Sequence, residues 1–314
     1  MAVLSRPVFF MLALAAGNAQ AGGGFYPDFQ KLSAALYQQQ PEPAACRAGI
    51  LHDAQRQQVL DTLNAIRRLH GLAPVQYEDG EQDAVMQTAL LMAANGRIDH
   101  APPPQWRCWT AIAAKTAGAS LLSGGVTAAN IAFHTPEQDI IVWLTDTEAR
   151  SVAGIGHRRW LLDPFLKRIA YGRVSGAVDG RNQSVASVLK IMRPEKTAVP
   201  DIGPELIAYP VGDYPARFYT EGAPLSVALM IDAGTKSGNA AVDFSQTRIQ
   251  VVPASGRPLR VSGVIADNRF YGLPNSLQFR TGALIAGERY AVTLENVRVQ
   301  GQPKTYRYWF RITP

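Results

Sequence analysis

The chain has 314 residues, a formal net charge of +6 and an apolar fraction of 47%. That length accommodates two domains, and the apolar content is that of ordinary globular chains. The basic residues are spread along the sequence apart from Arg158-Arg159, so the clustered stripe of a nucleic-acid face is missing; weak attraction to an anionic envelope surface is what this charge allows.

The first segment reads as a signal peptide over residues 1–21. Arg6 supplies the basic start, Pro7 to Gly17 the apolar run, and Ala19-Gln20-Ala21 the small-residue cleavage pattern. The run is too short to span a bilayer, and no later stretch is long and apolar enough to do so. No cysteine follows the cleavage pattern closely, which argues against a lipid anchor. The expectation is an exported, soluble protein, secreted or periplasmic, cut near Ala21 with loss of one charge, Arg6.

Gly22 to about Ala45 is a polar, Gln/Pro-rich arm with one short helix near Phe29 to Tyr37; the arm as a whole covers 22–49. Ile50 to His70 is read as a helix, because Val59, Leu63 and Ile66 recur at helical spacing and Gly71 fits the position just past its end. A second helix covers Glu81 to Asn95 and stops at Gly96. A third covers Arg107 to Ala117. Thr135-Pro136-Glu137-Gln138 is a capping box with proline at the first helical position, opening a helix that carries Ile140, Trp143 and Leu144. The period then changes: Arg168–Val174 and Val185–Ile191 read as strands with an Asp179-Gly180 hairpin turn between them. Helices followed by an antiparallel hairpin give an α+β domain over residues 50–196.

Residues 197–204 read as a linker. Beyond it, 205–314 is all-β. The strand candidates are Leu206–Tyr209, Leu225–Ile231, Thr247–Val252, Ser262–Ile265, Ser276–Arg280, Ala291–Val297 and Thr305–Ile312, separated by turn residues. Seven short strands in this length suggest an immunoglobulin-like β-sandwich, a module that spaces, docks or binds rather than catalyses.

The two cysteines, Cys46 and Cys108, sit in a chain bound for an oxidising compartment, which favours a disulfide over two buried thiols. Closing a loop of about 60 residues stabilises the fold by roughly 4 kcal/mol in the chain-entropy account. Neither cysteine has a second one nearby for dithiol redox chemistry.

Two histidines stand in unusual settings: Asp99-His100-Ala101-Pro102-Pro103 and Gly156-His157-Arg158-Arg159-Trp160. With Leu63-Asn64-Ala65-Ile66-Arg67, Gly71-Leu72-Ala73-Pro74-Val75, Asn130-Ile131-Ala132 and Trp143-Leu144, in that order, they make the chain resemble bacterial members of the CAP superfamily (cysteine-rich secretory, antigen 5, pathogenesis-related-1) over roughly 50 to 195. The resemblance implies a three-layered α-β-α sandwich and a cleft holding two histidines and two acids. His100 and His157 match the histidine positions. The first acidic position is Ala129 here, which offers no ligand or base. The second is Asp146, with Glu148 just beyond.

The cleft candidates are therefore His100, Asn130, Asp146, Glu148, His157 and Arg158. Each also has a structural reading: His100 bonding a carbonyl at a helix end, His157 orienting its loop, Asp146 and Glu148 as solvated acids, Asn130 as a turn former, Arg158 and Arg159 pairing with Asp163 or Asp139. Missing the acid at position 129, the sequence favours a non-enzymatic protein that binds a lipid, glycan or protein ligand. The alternative is a metal-assisted hydrolase in which His100 and His157 hold Zn²⁺ with Asp146 or Glu148. A third reading is an envelope structural component docked through its β module. No Gly-x-Ser-x-Gly elbow, His-Glu-x-x-His motif or phosphate loop is present.

Overall fold

A computed structural model describes residues 25–127, 134–147, 154–177, 183–191 and 203–314. The signal peptide, Asn130, Glu148, the Asp179-Gly180 turn and most of the linker lie outside the described residues.

Helix α1 spans Phe25–Ala34. Strand β1 (Tyr37–Gln39) then pairs antiparallel with β2 (Ile50–Leu51). This pairing takes the first residues expected of the next helix, so α2 covers Asp53–Leu69. Its Val59, Leu63 and Ile66 are fully buried, as their helical spacing requires. Gly71, at φ +68°, occupies the left-handed position after the helix end. After β3 (Gln76–Tyr77), α3 runs Gln82–Asn95 and stops on left-handed Gly96. Every residue from Ala84 to Ala94 except Gln87 is buried, so α3 is a core helix enclosed on most sides rather than a surface one.

Helix α4 is Ala111–Ala117, shorter at its start than expected. Cys108 is in a left-handed conformation, and Thr110 caps the helix by accepting from the Ala113 amide. Strand β4 (Ser120–Thr127) follows. Helix α5 (Pro136–Thr145) opens on the expected capping box, both of whose hydrogen bonds form. Helix α6 (Gly156–Leu161) is followed by β5 (Arg168–Ala177) and β6 (Gln183–Lys190).

β5 and β6 pair antiparallel, β4 adds to β6 antiparallel, and β3 adds to β5 in parallel. Alternation along β5 separates two faces. Gly172 lies against the Val85 backbone of α3, where a Cβ would collide. Its neighbours Tyr171 and Arg173 point the other way and meet Asp139 of α5. Helices thus cover both faces, giving three layers, α-β-α. The α5 face carries a buried polar knot: Asp139 Oδ2 accepts from Arg173 Nη1 (2.9 Å), Tyr171 Oη (2.5 Å) and Ser187 Oγ (2.6 Å).

The second half contributes β7 (Leu206–Tyr209), β8 (Gly212–Pro215), β9 (Leu225–Leu229), β10 (Val242–Asp243), β11 (Arg248–Pro253), β12 (Ser262–Asp267), β13 (Ser276–Arg280), β14 (Arg289–Val299) and β15 (Gln302–Thr313). One sheet has the order β12-β13-β9-β7. The other has β10-β14-β15-β8, with β11 also pairing β14. All pairs are antiparallel except β15 with β8, which is parallel. β8 and β10 were not among the sequence-predicted strands; β8 is four residues opening on Gly212 and β10 only two, too short to show a period. Leu225, Val227, Leu277 and Phe279 of one sheet and Val292, Leu294 and Phe310 of the other are buried in one core.

Cys46 and Cys108 form the disulfide, with Cα atoms 5.3 Å apart across a separation of 62 residues. It fastens the arm to the segment between α3 and α4. Trp106 and Trp109, on either side of Cys108, pack part-buried against the core.

Candidate functional site

The α5–α6 corner brings together three of the sequence candidates. α5 ends on Asp146, which adopts a left-handed conformation (φ 48°). That turn aims the carboxylate at the first turn of α6. Its Oδ1 accepts from His157 Nδ1 (2.7 Å) and its Oδ2 from the Arg158 amide (3.0 Å). The carboxylate is 2% exposed and the imidazole 37%. A buried anion therefore steadies both the open start of α6 and the orientation of the ring at the rim. Donating from Nδ1 fixes the neutral imidazole in the tautomer whose Nε2 carries the lone pair, and no bond to Nε2 is formed among the described residues.

His100 shows the same chemistry in a different setting. It is exposed, and its Nδ1 donates to the Ala117 carbonyl (3.0 Å) at the end of α4. Its Nε2 is likewise the basic nitrogen. The carbonyl bond is the structural role the sequence left open, and it leaves the ring edge accessible.

Arg158, expected at the cleft, is instead fully buried. Its Nε and Nη2 donate to the Leu144 (2.6 Å) and Thr145 (2.8 Å) carbonyls, the unpaired last-turn acceptors of α5. Nη1 crosses to the second half, donating to the Pro224 carbonyl (2.7 Å) and Ser226 Oγ (3.0 Å). The guanidinium lies over the Tyr209 ring at 3.8 Å. Burial lowers its pKa from the ordinary arginine value, against the raising influence of Tyr209 and Asp146. Every nitrogen of the fork is engaged, so this side chain is a bracket rather than a ligand contact.

Arg159 is buried too and pairs with neither Asp163 nor Asp139. Its Nη2 donates to the Leu273 carbonyl (2.8 Å), and Asp267 of β12 lies 3.4 Å from Nη1. Asp163 pairs with Lys236 (2.5 Å) instead, and the Lys236 ammonium stands over the half-buried Trp160 ring. At the far end of α6, Arg67 of α2 donates from Nη1 to the Leu161 and Asp163 carbonyls, both at 2.9 Å. Sequence reasoning missed the contacts of Arg67 and Ser226 because their partners lie far away in the chain. The one signal was Arg67 on the apolar side of α2, one position after Ile66.

Asn130 and Glu148 lie outside the described residues, so neither can be placed at the corner. His134 is exposed, just before the Thr135 cap. Among the described residues no group of three or more His, Cys, Asp or Glu side chains converges as a metal site, and both Asp146 oxygens are already engaged; the described donor set does not fit zinc. A cavity of about 230 Å³ opens elsewhere, between β2, α2 and α3, lined by Leu51, Arg56, Asp83 and Met86 among others.

Three layers, one disulfide and a histidine held by a buried acid at a helix junction define an α-β-α domain with a half-exposed imidazole at that junction. Residues 60–188 match the family model described as the cysteine-rich secretory protein family, CAP. This stretch is a CAP domain, lying inside the region that the sequence motifs marked. Among solved structures, MpPR-1i is 11% identical, over 44% of this chain and 87% of that one, with a TM-score of 0.31. Na-ASP-1 is also 11% identical, over 46% of this chain and 39% of that one, with a TM-score of 0.28. Scores this low add nothing to the fold assignment. No curated protein matches the chain.

Proposed function

We propose that this is an exported ligand-binding protein of bacterial type. Its CAP domain (50–196) presents the rim around His157 and His100 to a lipid, glycan or protein of the envelope or its surroundings. The observation that carries this reading is the Asp146–His157 pair: a buried acid holds a half-exposed ring with its basic nitrogen facing outward. The disulfide fits an oxidising, extracytoplasmic location. No helix among the described residues is long and apolar enough to cross a membrane. We place a signal peptide at 1–21, the arm at 22–49 and the linker at 197–204.

Residues 205–314 are proposed as an immunoglobulin-like sandwich. The order β12-β13-β9-β7 opposite β11-β14-β15-β8 corresponds to D-E-B-A facing C-F-G, with a short A′ strand added to G. Tyr290, at the start of β14, accepts at its hydroxyl from the Ile285 amide (2.8 Å) five residues upstream, as a tyrosine corner does.

The test is direct binding to the full exported chain, with a fluorescent sterol, a fatty acid and a soluble cell-wall glycan as separate probes. Saturable binding of one probe is expected, blocked by His157→Trp and retained by His100→Ala with His157→Ala, because the rings line the rim. No saturable binding of any probe, or binding left unchanged in a folded His157→Trp variant, refutes this reading. The alternative read from the sequence, a metal-assisted hydrolase using His100, His157 and Asp146 or Glu148, is the weaker one, because both Asp146 oxygens are already engaged. Calorimetry with Zn²⁺ at neutral pH separates the two, and absence of saturable zinc uptake removes the second.

A further inference from the structure

We propose that the second half of the chain is a positioning element for His157: the Pro224–Ser226 and Gly272–Leu273 segments fix α6 and, through it, the Asp146–His157 hydrogen bond. The proposal rests on the reading of the His157 rim as the functional face.

α6 has six residues and no side-chain cap at its start. A helix this short has no stability of its own in water, so its orientation is set by what grips it. Inside the CAP domain the grips are Asp146, Arg67 and the Leu144 and Thr145 carbonyls that take two nitrogens of Arg158. Further ones come from the β module. Pro224 and Ser226 hold the Arg158 guanidinium. The Leu273 carbonyl takes the Arg159 guanidinium, while the Leu273 amide donates to the Arg159 carbonyl at 3.0 Å. The β module thus binds both the side chains and the backbone of α6, immediately after His157 in sequence.

Contact at this junction is close enough to exclude a methyl group. Gly272 sits at φ +64° with its α-carbon against the Arg159–Trp160 peptide, so a Cβ there would collide with backbone. Two residues before α6, a Cβ on Gly154 would meet the end of the Gln278 side chain of β13. The same Asp146 carboxylate that orients His157 accepts the Arg158 amide. A displacement of Arg158 by the β module therefore reaches the imidazole through one shared group. This makes residues of the β module positioning residues for a ring they do not touch.

The experiment uses the full exported chain with labelled histidine and backbone nitrogen, followed by NMR without any ligand. The readouts are the His157 Nδ1–H resonance and the exchange rate of the Arg158 amide. Gly272→Val should leave both modules folded, abolish the Nδ1–H resonance and speed Arg158 amide exchange on the order of tenfold, the worth of one charge-assisted hydrogen bond. The His100 ring signals should not move. Ser226→Ala, which removes one bond and adds no bulk, should act in the same direction and decides the matter where Gly272→Val fails to fold. Val251→Ala, in the core of the opposite sheet, should lower the melting temperature without moving either readout. Unchanged His157 and Arg158 signals in folded Gly272→Val and Ser226→Ala overturn the proposal. So do equal changes in Val251→Ala, which would show general loosening. Because no ligand enters the experiment, a failed ligand reading and a failed positioning role give separate results.

Discussion

Replacing Arg158 with methionine removes the guanidinium while keeping most of the side-chain volume. The wild-type fork satisfies three buried carbonyls, of Leu144, Thr145 and Pro224, and the Ser226 hydroxyl. Stranding a buried acceptor costs about 1–3 kcal/mol. Four such costs are not additive, and the variant no longer desolvates a charge that has no carboxylate directly on its guanidinium. The net loss expected is about 3 kcal/mol, the upper end for stranding buried acceptors once the relieved desolvation is set against them. Arg158→Lys should lose nearly as much, since an ammonium cannot span acceptors that lie on both modules. Urea unfolding followed by tryptophan fluorescence and far-UV circular dichroism measures the effect. Wild type should unfold in one transition. Arg158→Met should unfold in two, because the bracket couples α5, α6 and β9. A loss below about 1 kcal/mol with a single coincident transition would refute the argument.

Asp139→Asn removes the anion that accepts from Arg173, Tyr171 and Ser187; leaving Arg173 buried without its partner should cost about 3–5 kcal/mol in the same denaturant assay. His70 is buried between Tyr209 and Tyr214, with Nε2 3.2 Å from the Tyr214 hydroxyl, and burial, with help from Arg158 and Arg67, pushes its pKa down to about 3. The folded state keeps this ring neutral where the unfolded chain protonates, so its contribution is complete above the ordinary histidine pKa and is lost as pH falls toward 3. Between pH 7.5 and 4.5 that loss is about 3 kcal/mol, and His70→Gln should flatten that part of the stability profile; an unchanged slope would contradict the assignment. Cys46→Ser with Cys108→Ser should lower stability by about 4 kcal/mol on the chain-entropy account, and a thermal melt matching wild type in reductant-free buffer would contradict it.

Signals confined to one turn of chain were legible in the sequence. The capping box at Thr135, the stop at Gly96 and the buried row Val59, Leu63, Ile66 all depend on neighbours within a few residues, and each appears where expected. β4 was missed because Ser123-Gly124-Gly125 has no strand pattern. Gly124 is there because a Cβ would strike the Val185 carbonyl of β6, a contact that spacing cannot show. The arginines of α6 pointed to the surface by charge alone. Their burial is made affordable by carbonyls 66 and 114 residues further along the chain. Asp146 was found from its offset after Trp143, but its left-handed backbone and the second hydrogen bond to the Arg158 amide are properties of the folded corner. The CAP motifs located the domain, whereas the role of its Arg-Arg pair depended on a module those motifs do not cover.

The Cys46–Cys108 bridge decides what a single proteolytic cut can do to the domain. The exposed stretch Arg97 to His100 lies inside the 62-residue span it closes, and Arg97 offers a trypsin-like protease a cut site there. A cut at that point leaves every element up to α3 on one fragment and those from α4 onward on the other, with the bridge still joining them. The nicked protein would migrate as two pieces only after reduction. Loss of the domain to such proteases would therefore need a reductant as well as a cut.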